Sequence, residues 1–184
     1  MTGDEAARFY SLGHSTRPLE EFMTLLGNHG VAIVADVRTY PRSRRYPQYD
    51  LEAMAASLPA AGVRYVHLLE LGGRRRPQPD SSNTGWRNES FRGYADYMAT
   101  LAFAEALDRL LALGGEGRVA IVCSEAVPWR CHRSMIADAL VVRGEEVRHI
   151  TGAGVARPHR LTPFAHVDGI SISYPAPLDA AFGM

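Results

Sequence analysis

Three observations predict an α/β fold: a mostly parallel central sheet of about five strands with helices on both faces. Short apolar runs alternate with segments of helical periodicity from residue 8 to residue 150. The runs Val31–Val37 and Arg118–Cys123 are apolar almost without interruption, as expected of strands covered on both faces. The 184 residues are 46% hydrophobic and balance 20 basic against 20 acidic groups, which suits one compact domain rather than a disordered chain. That domain is expected to span 1–184, with a core at about 8–150 and a C-terminal extension, 151–184, wrapped over it.

In chain order, Arg8–Leu12 reads as a first strand running into Gly13-His14-Ser15. Leu19, Phe22, Met23, Leu25 and Leu26 then recur at helical spacing, with Thr16 as N-cap, Pro18 in the first turn and Gly30 as the stop. Val31–Val37 is the second strand and 38–50 a polar loop. Leu51–Ala61 is a helix ended by Gly62, and Val63–Leu68 alternates as a third strand. Residues 69–90 form a long polar loop, a length that usually carries function. Phe91–Leu113 reads as one long helix ended by Gly114-Gly115. Arg118–Cys123 is a fourth strand, 132–143 a fourth helix, Glu146–Ile150 a fifth strand, and Ile170–Tyr174 a short strand in the extension.

No stretch approaches the ~18 apolar residues of a membrane span, and the first residues lack the basic-then-apolar form of a signal peptide. The expected location is therefore the cytoplasm. Two cysteines make no disulfide framework. All 20 basic residues are arginine, which a GC-rich genome produces unaided, so their positions carry the information rather than their number.

In parallel sheets ligands sit at the carboxyl ends of the strands. The segments expected there, 13–18, 38–50, 69–93 and 124–133, hold 12 of the 20 arginines and only 5 acids. A molecule of zero net charge thus places about +7 over one end, a field that draws anions. Strands one and four are expected side by side at the centre, bringing His14 to the cleft of Cys123. Cys123 ends a buried strand, and Cys131 begins a helix among arginines, where a thiolate is stabilised. The loop between them resembles the strand–loop–helix of phosphatases and sulfurtransferases. Its interval from Cys123 to Arg130 is one residue longer than the phosphatase one, and it lacks the glycines. Catalytic candidates are Cys123, Cys131, His14, Asp36 and Glu125. Ligand-binding candidates are Ser15, Arg38, Arg74, Trp86, Arg92, Arg130, His132 and Arg133. For Asp36, catalysis stands beside structural pairing with Arg38. For Ser15, ligand binding stands beside a helix cap. The runs Pro41–Pro47 and Arg74–Arg76 read as phosphate contacts, and Trp86 and Phe91 as stacking surfaces. A metal through His14, Cys123, Cys131 or His132 stays open, and no cofactor is indicated.

Several separated motifs resemble one family. They are Gly13-His14-Ser15, Asp36-Val37-Arg38 with Pro41-x-Ser43, Leu71-Gly72-Gly73-Arg74 and Phe91-Arg92-Gly93-Tyr94-Ala95. Cys123-x-Glu125 leading to Cys131-His132-Arg133, and a distal His149-Ile150, complete the set. In these the chain resembles the bacterial and archaeal family catalogued as domain of unknown function 488. The resemblance runs from about Leu12 to Ile150, and His159-Arg160-Leu161-Thr162 fits it too. It implies a fold class and a motif set, and no activity. Three functions compete: a small enzyme using Cys123 or Cys131 on an anionic, phosphate- or nucleotide-like ligand; a nucleic-acid binding module; and a redox or metal sensor on the two cysteines. Zero net charge weighs against extended duplex binding.

Overall fold

The computed structural model describes residues 7–177; of the expected domain, 1–6 and 178–184 lie outside the described residues. Strands β1 (Phe9–Gly13), β2 (Ile33–Asp36), β3 (Arg64–His67), β4 (Val119–Cys123) and β5 (Val147–Ile150) run parallel in the order β3-β2-β4-β1-β5. A two-residue strand, β6 (Arg157–Pro158), adds antiparallel to β5 and makes the sheet six-stranded. The helices are α1 (Leu19–Asn28), α2 (Leu51–Ala60), α3 (Glu89–Met98), α4 (Leu101–Glu116) and α5 (Arg133–Val141). A hairpin of β7 (His166–Asp168) and β8 (Ser171–Ser173) follows, with β8 inside the stretch expected to be a strand.

The apolar runs have the predicted cause. Alternate strand residues face opposite layers, and both layers are covered. Tyr10, Leu12, Val34, Ala120 and Val122 pack on Phe22, Leu25 and Leu26 of α1 and Met54 and Leu58 of α2. Phe9, Ile33, Val119, Ile121 and Val147 pack on Phe103, Leu107 and Leu110 of α4 and Met135 and Ile136 of α5. Each buried Val, Leu, Ile, Phe or Met among them contributes about 1.5–3 kcal/mol by leaving water.

Three local expectations are corrected. The helix expected over 91–113 is two helices. Thr100 breaks it, because its Oγ1 accepts the Phe103 N–H at 3.3 Å and donates to the Tyr97 carbonyl at 2.7 Å, capping α4. Gly114-Gly115 does not stop α4, which continues to Glu116; a Cβ on Gly114 would overlap the Phe9 ring, so the glycine serves packing. Thr16 does not cap α1, which starts at Leu19 with Pro18 at the cap position, while Ser15 makes the turn at a φ of 48°.

The long loop of 69–88 is tied down by Asp96 on α3, which accepts from Gln78 N at 2.8 Å, Ser81 Oγ at 2.6 Å and Asn83 Nδ2 at 2.8 Å. The chain after β5 is tied to α5 through the buried Asp138. That carboxylate accepts from Thr162 N at 3.0 Å, Thr162 Oγ1 at 2.7 Å and Tyr174 Oη at 2.9 Å, and holds His159 Nε2 at 2.8 Å. Among the described residues, no helix is long and apolar enough to cross a membrane.

Candidate functional site

The central pair is β1 and β4, with Gly13 opposite Cys123. Beyond them the chain diverges: β1 leads through α1 on one face to β2, and β4 leads through α5 on the other face to β5. A crevice opens where the two paths part. His14 N–H donates to the Cys123 carbonyl and Ser15 N–H to the Ser124 carbonyl, both at 3.0 Å, so His14 and Cys123 share one cleft, as expected. The loop after β4 folds back over Gly13. A Cβ there would overlap the Glu125 carbonyl, which is why the motif opens with glycine. The resulting cavity of about 710 Å³ is floored by His14, Cys123, Cys131 and His132 and walled by the 15–16, 38–46, 73–74, 90–91 and 124–130 segments.

Cys131 stands just before α5 in extended backbone, at φ −138° and ψ 147°. Its sulfur accepts the Arg133 Nε–H at 3.4 Å. Arg133 is only 1% exposed; its Nη1 donates to Ser11 Oγ at 3.0 Å and its Nη2 to the Glu125 carbonyl. Among the described residues no carboxylate pairs with this guanidinium. A buried cation requires a counter-charge, and Cys131 Sγ is the ionisable group touching it. Cys131 is accordingly lowered to about 6. The Cys123 thiol donating to it lowers it most; burial opposes, and the Arg133 guanidinium and backbone N–H add to the drop. Cys123, as donor in that pair and buried, is held well above the ordinary thiol range. Burial holds the His132 imidazole below its ordinary value. Its Nε2–H donates to the Val37 carbonyl at 3.1 Å, and its Nδ1 lies 3.6 Å from Cys131 Sγ, a contact that carries a hydrogen bond when Cys131 is a thiol and none when it is a thiolate. A Cβ on Gly73 would lie 2.8 Å from that Nδ1, so glycine at 73 leaves the imidazole its place.

Of the residues singled out in the sequence, Cys123, Cys131, His14, Ser15, Arg38, Arg74, Glu125, Arg130 and His132 line the cavity. Arg133 lies beneath its floor. Asp36 is buried away from the cavity as partner of Arg38, with Nε–Oδ1 2.9 Å and Nη2–Oδ2 2.6 Å, and Tyr65 Oη donates to Oδ2 at 2.7 Å. His14 has no free nitrogen. Its Nδ1–H donates to the Ser15 carbonyl at 3.0 Å, and its Nε2 accepts from Arg38 Nη1 at 3.2 Å. Burial and then the Arg38 charge hold it at about 4, and its ring stacks on Tyr49 at 4.1 Å. Asp36, Arg38 and His14 thus form one buried brace for the cleft. Trp86 and Arg92 are not brought to the cavity. Arg92 donates from Nε and Nη2 to the Trp86 carbonyl, and Trp86 packs on Phe91, Phe164 and Tyr174.

The residues missed in the sequence are supports: Ser11, Tyr49 and Tyr65. Tyr65 carried a signal, since β3 runs beside β2 and a strand tyrosine is suited to a buried carboxylate at its neighbour's end. Arg42 and Arg74 line the mouth with Tyr40 and Tyr46, and Arg130 lines it from the opposite loop. No salt bridge engages these three arginines among the described residues, and Glu125 is the one acid in the lining. Arg74 is held at a φ of 62°, in the left-handed region. Cys123, Cys131 and His132 place three donor atoms within 4.8 Å of one another, the spread a soft metal ion needs. Arg133 already donates to the Cys131 sulfur, and the Arg38 charge also acts on Cys123, a field that favours an anion over a cation.

Residues 18–140 match the family model described as domain of unknown function DUF488, and the chain belongs to that family. No curated protein and no solved structure matches the chain.

Proposed function

We propose that the protein is a small enzyme in which the Cys131 thiolate attacks an anionic, phosphate-bearing substrate held by Arg42, Arg74 and Arg130. The observation that carries this reading is the buried Arg133 guanidinium, whose nearest ionisable partner is the Cys131 sulfur on the cavity floor. A thiolate is the nucleophilic form of cysteine, and one poised near neutrality combines availability with reactivity. The three arginines above it, none in a salt bridge among the described residues, supply the charge that binds a phosphate and spreads the negative charge of its transition state. Substrate binds first at this mouth. Cys131 Sγ then bonds to the reacting centre as the leaving group departs with the bonding electrons, and water afterwards cleaves the sulfur-linked intermediate. Glu125, the carboxylate of the cavity lining, whose Oε1 accepts the Val127 N–H at 3.3 Å, takes a proton from that water in this reading. Tyr40, Tyr46 and Phe91 add planar surfaces that suit a nucleotide-like substrate.

The test is the rate of iodoacetamide alkylation against pH on the Cys123→Ser and Cys131→Ser variants and the wild type. The expected result is rapid labelling of Cys131 in the wild type with an inflection near 6, slowed by inorganic phosphate or sulfate in the cleft. Labelling of both thiols only above ~8.5, or only after unfolding, would sink the nucleophile.

A further inference from the structure

The nucleophile reading uses Cys123 only as a hydrogen-bond donor to Cys131. This thiol ends β4 with its sulfur within 4.8 Å of Cys131 Sγ and is buried at the same cavity floor. Nothing in the packing of the core requires two sulfurs to converge from a strand end and a helix start. From that convergence we propose that Cys123 and Cys131 form a dithiol that reduces a hydroperoxide, Cys131 attacking and Cys123 resolving. The proposal rests on Cys131 being the nucleophile of the site.

Each step balances. Cys131 Sγ attacks one peroxide oxygen; the S–O bond forms as the O–O bond breaks. The second oxygen leaves with the electron pair as hydroxide or alkoxide and takes a proton from solvent. Sulfur is oxidised to a sulfenic acid and the peroxide is reduced to water or an alcohol. Cys123 Sγ, releasing its proton, then attacks the sulfenic sulfur. The S–S bond forms, the S–O bond breaks, and the hydroxyl leaves with that proton as water. Two molecules of a small thiol restore the dithiol by exchange and emerge as their own disulfide.

The geometry fits both halves. Cys131 precedes α5 instead of lying within it, so its side chain turns toward Cys123 without unwinding the helix. The cavity of about 710 Å³ admits a small peroxide to the sulfur. Arg133 then makes the disulfide short-lived. Its guanidinium, 1% exposed, loses its anionic neighbour once Cys131 becomes a disulfide sulfur, so the oxidised state holds an uncompensated buried cation. A dithiol stabilised as thiolate yields an easily reduced disulfide. The pair is built to turn over.

The experiment treats the whole protein with equimolar hydrogen peroxide near pH 7, blocks remaining thiols and reads the products by mass spectrometry. Wild type should lose two hydrogens, yield a peptide pair linked through Cys123 and Cys131, and recover both thiols with glutathione. Cys123→Ser should stop at a dimedone-trappable sulfenic acid on Cys131 and pass on to the sulfinic acid. Cys131→Ser should leave Cys123 at least about tenfold less reactive than Cys131 is in the wild type. If iodoacetamide labels Cys131 but peroxide forms no disulfide in the wild type, the dithiol activity is overturned and the nucleophile stands. If neither reagent touches Cys131 in the folded protein, both fall.

Discussion

Arg133 decides the chemistry at the scale of single residues. It spends three directions of its planar fork on three different groups: Nε on Cys131 Sγ, Nη1 on Ser11 Oγ, and Nη2 on the Glu125 carbonyl. A lysine offers a point charge and cannot reproduce that fork. Arg133→Met removes the buried cation while keeping most of the side-chain volume. The hydrogen bond from Cys123 remains and still favours the Cys131 thiolate, so the alkylation inflection of Cys131 should rise from about 6 without reaching the free-thiol value. A rise of about one unit cuts the rate at a pH below both inflections roughly tenfold. Arg133→Lys keeps a positive charge without the fork and should fall between Arg133→Met and wild type, and an unchanged inflection in both variants would remove Arg133 from the site. This residue also marks the limit of what the sequence shows. Arginine in Cys131-His132-Arg133 reads as one more cation over the cleft, because its burial depends on Ser11, a small strand residue far away in the chain. Trp86 misleads in the same way: an aromatic in a polar loop reads as a stacking surface, whereas Phe164 and Tyr174, from the far end of the chain, enclose it.

At the scale of elements the cleft was legible and its supports were not. Two-sided apolar runs imply covered parallel strands, and the strand-end rule then locates the cleft without coordinates. The break between α3 and α4 escaped the periodicity because Tyr97, Leu101 and Ala104 keep helical spacing across it, while a single Thr100 hydroxyl supplies the cap. The strand at 170–174 was legible, and β8 lies within it, whereas β6 and β7 escaped because such short strands carry no periodic signal; side-chain hydrogen bonds to α5 hold this segment. Asp138 is the hub of those bonds. Asp138→Ala should leave His159, Thr162 and Tyr174 with buried polar groups unsatisfied, a loss of about 3–5 kcal/mol. Limited trypsin digestion should then cut first after Arg160, on this segment, with β1–β5 still protected; the Arg157–Pro158 bond is not a trypsin site. Cleavage spread evenly over the chain would instead show that the segment has no separate attachment.

For the whole molecule, the buried ionisable groups act on stability in one direction over most of the pH range. His14 and His149 are held at about 4 against an ordinary 6.5, in both cases chiefly by burial, with Arg38 assisting at His14 and His159 at His149. Between about 6.5 and 4 the unfolded chain therefore binds protons that the folded chain refuses. Stability that is complete above 6.5 is lost as pH falls toward 4. Cys131 adds a second span. Its folded value of about 6 lies below the ordinary 9.0, so the stability it contributes is complete above 9.0 and is lost as pH falls from there to 6. Cys123 reverses the sign above 9.0, because the folded state keeps a proton there that the unfolded chain releases. With 20 basic and 20 acidic residues, overall charge repulsion is small near neutrality and does not mask these contributions. The melting temperature should climb from pH 4 to a maximum at about pH 8–9 and then fall, each kcal/mol moving it roughly 2–4 °C for a chain of this size. His149→Gln should flatten the lower span and Cys131→Ser the upper one. A wild-type maximum at pH 6 or below would mean that Cys131 is not a thiolate in the folded protein, whatever its distance from Arg133.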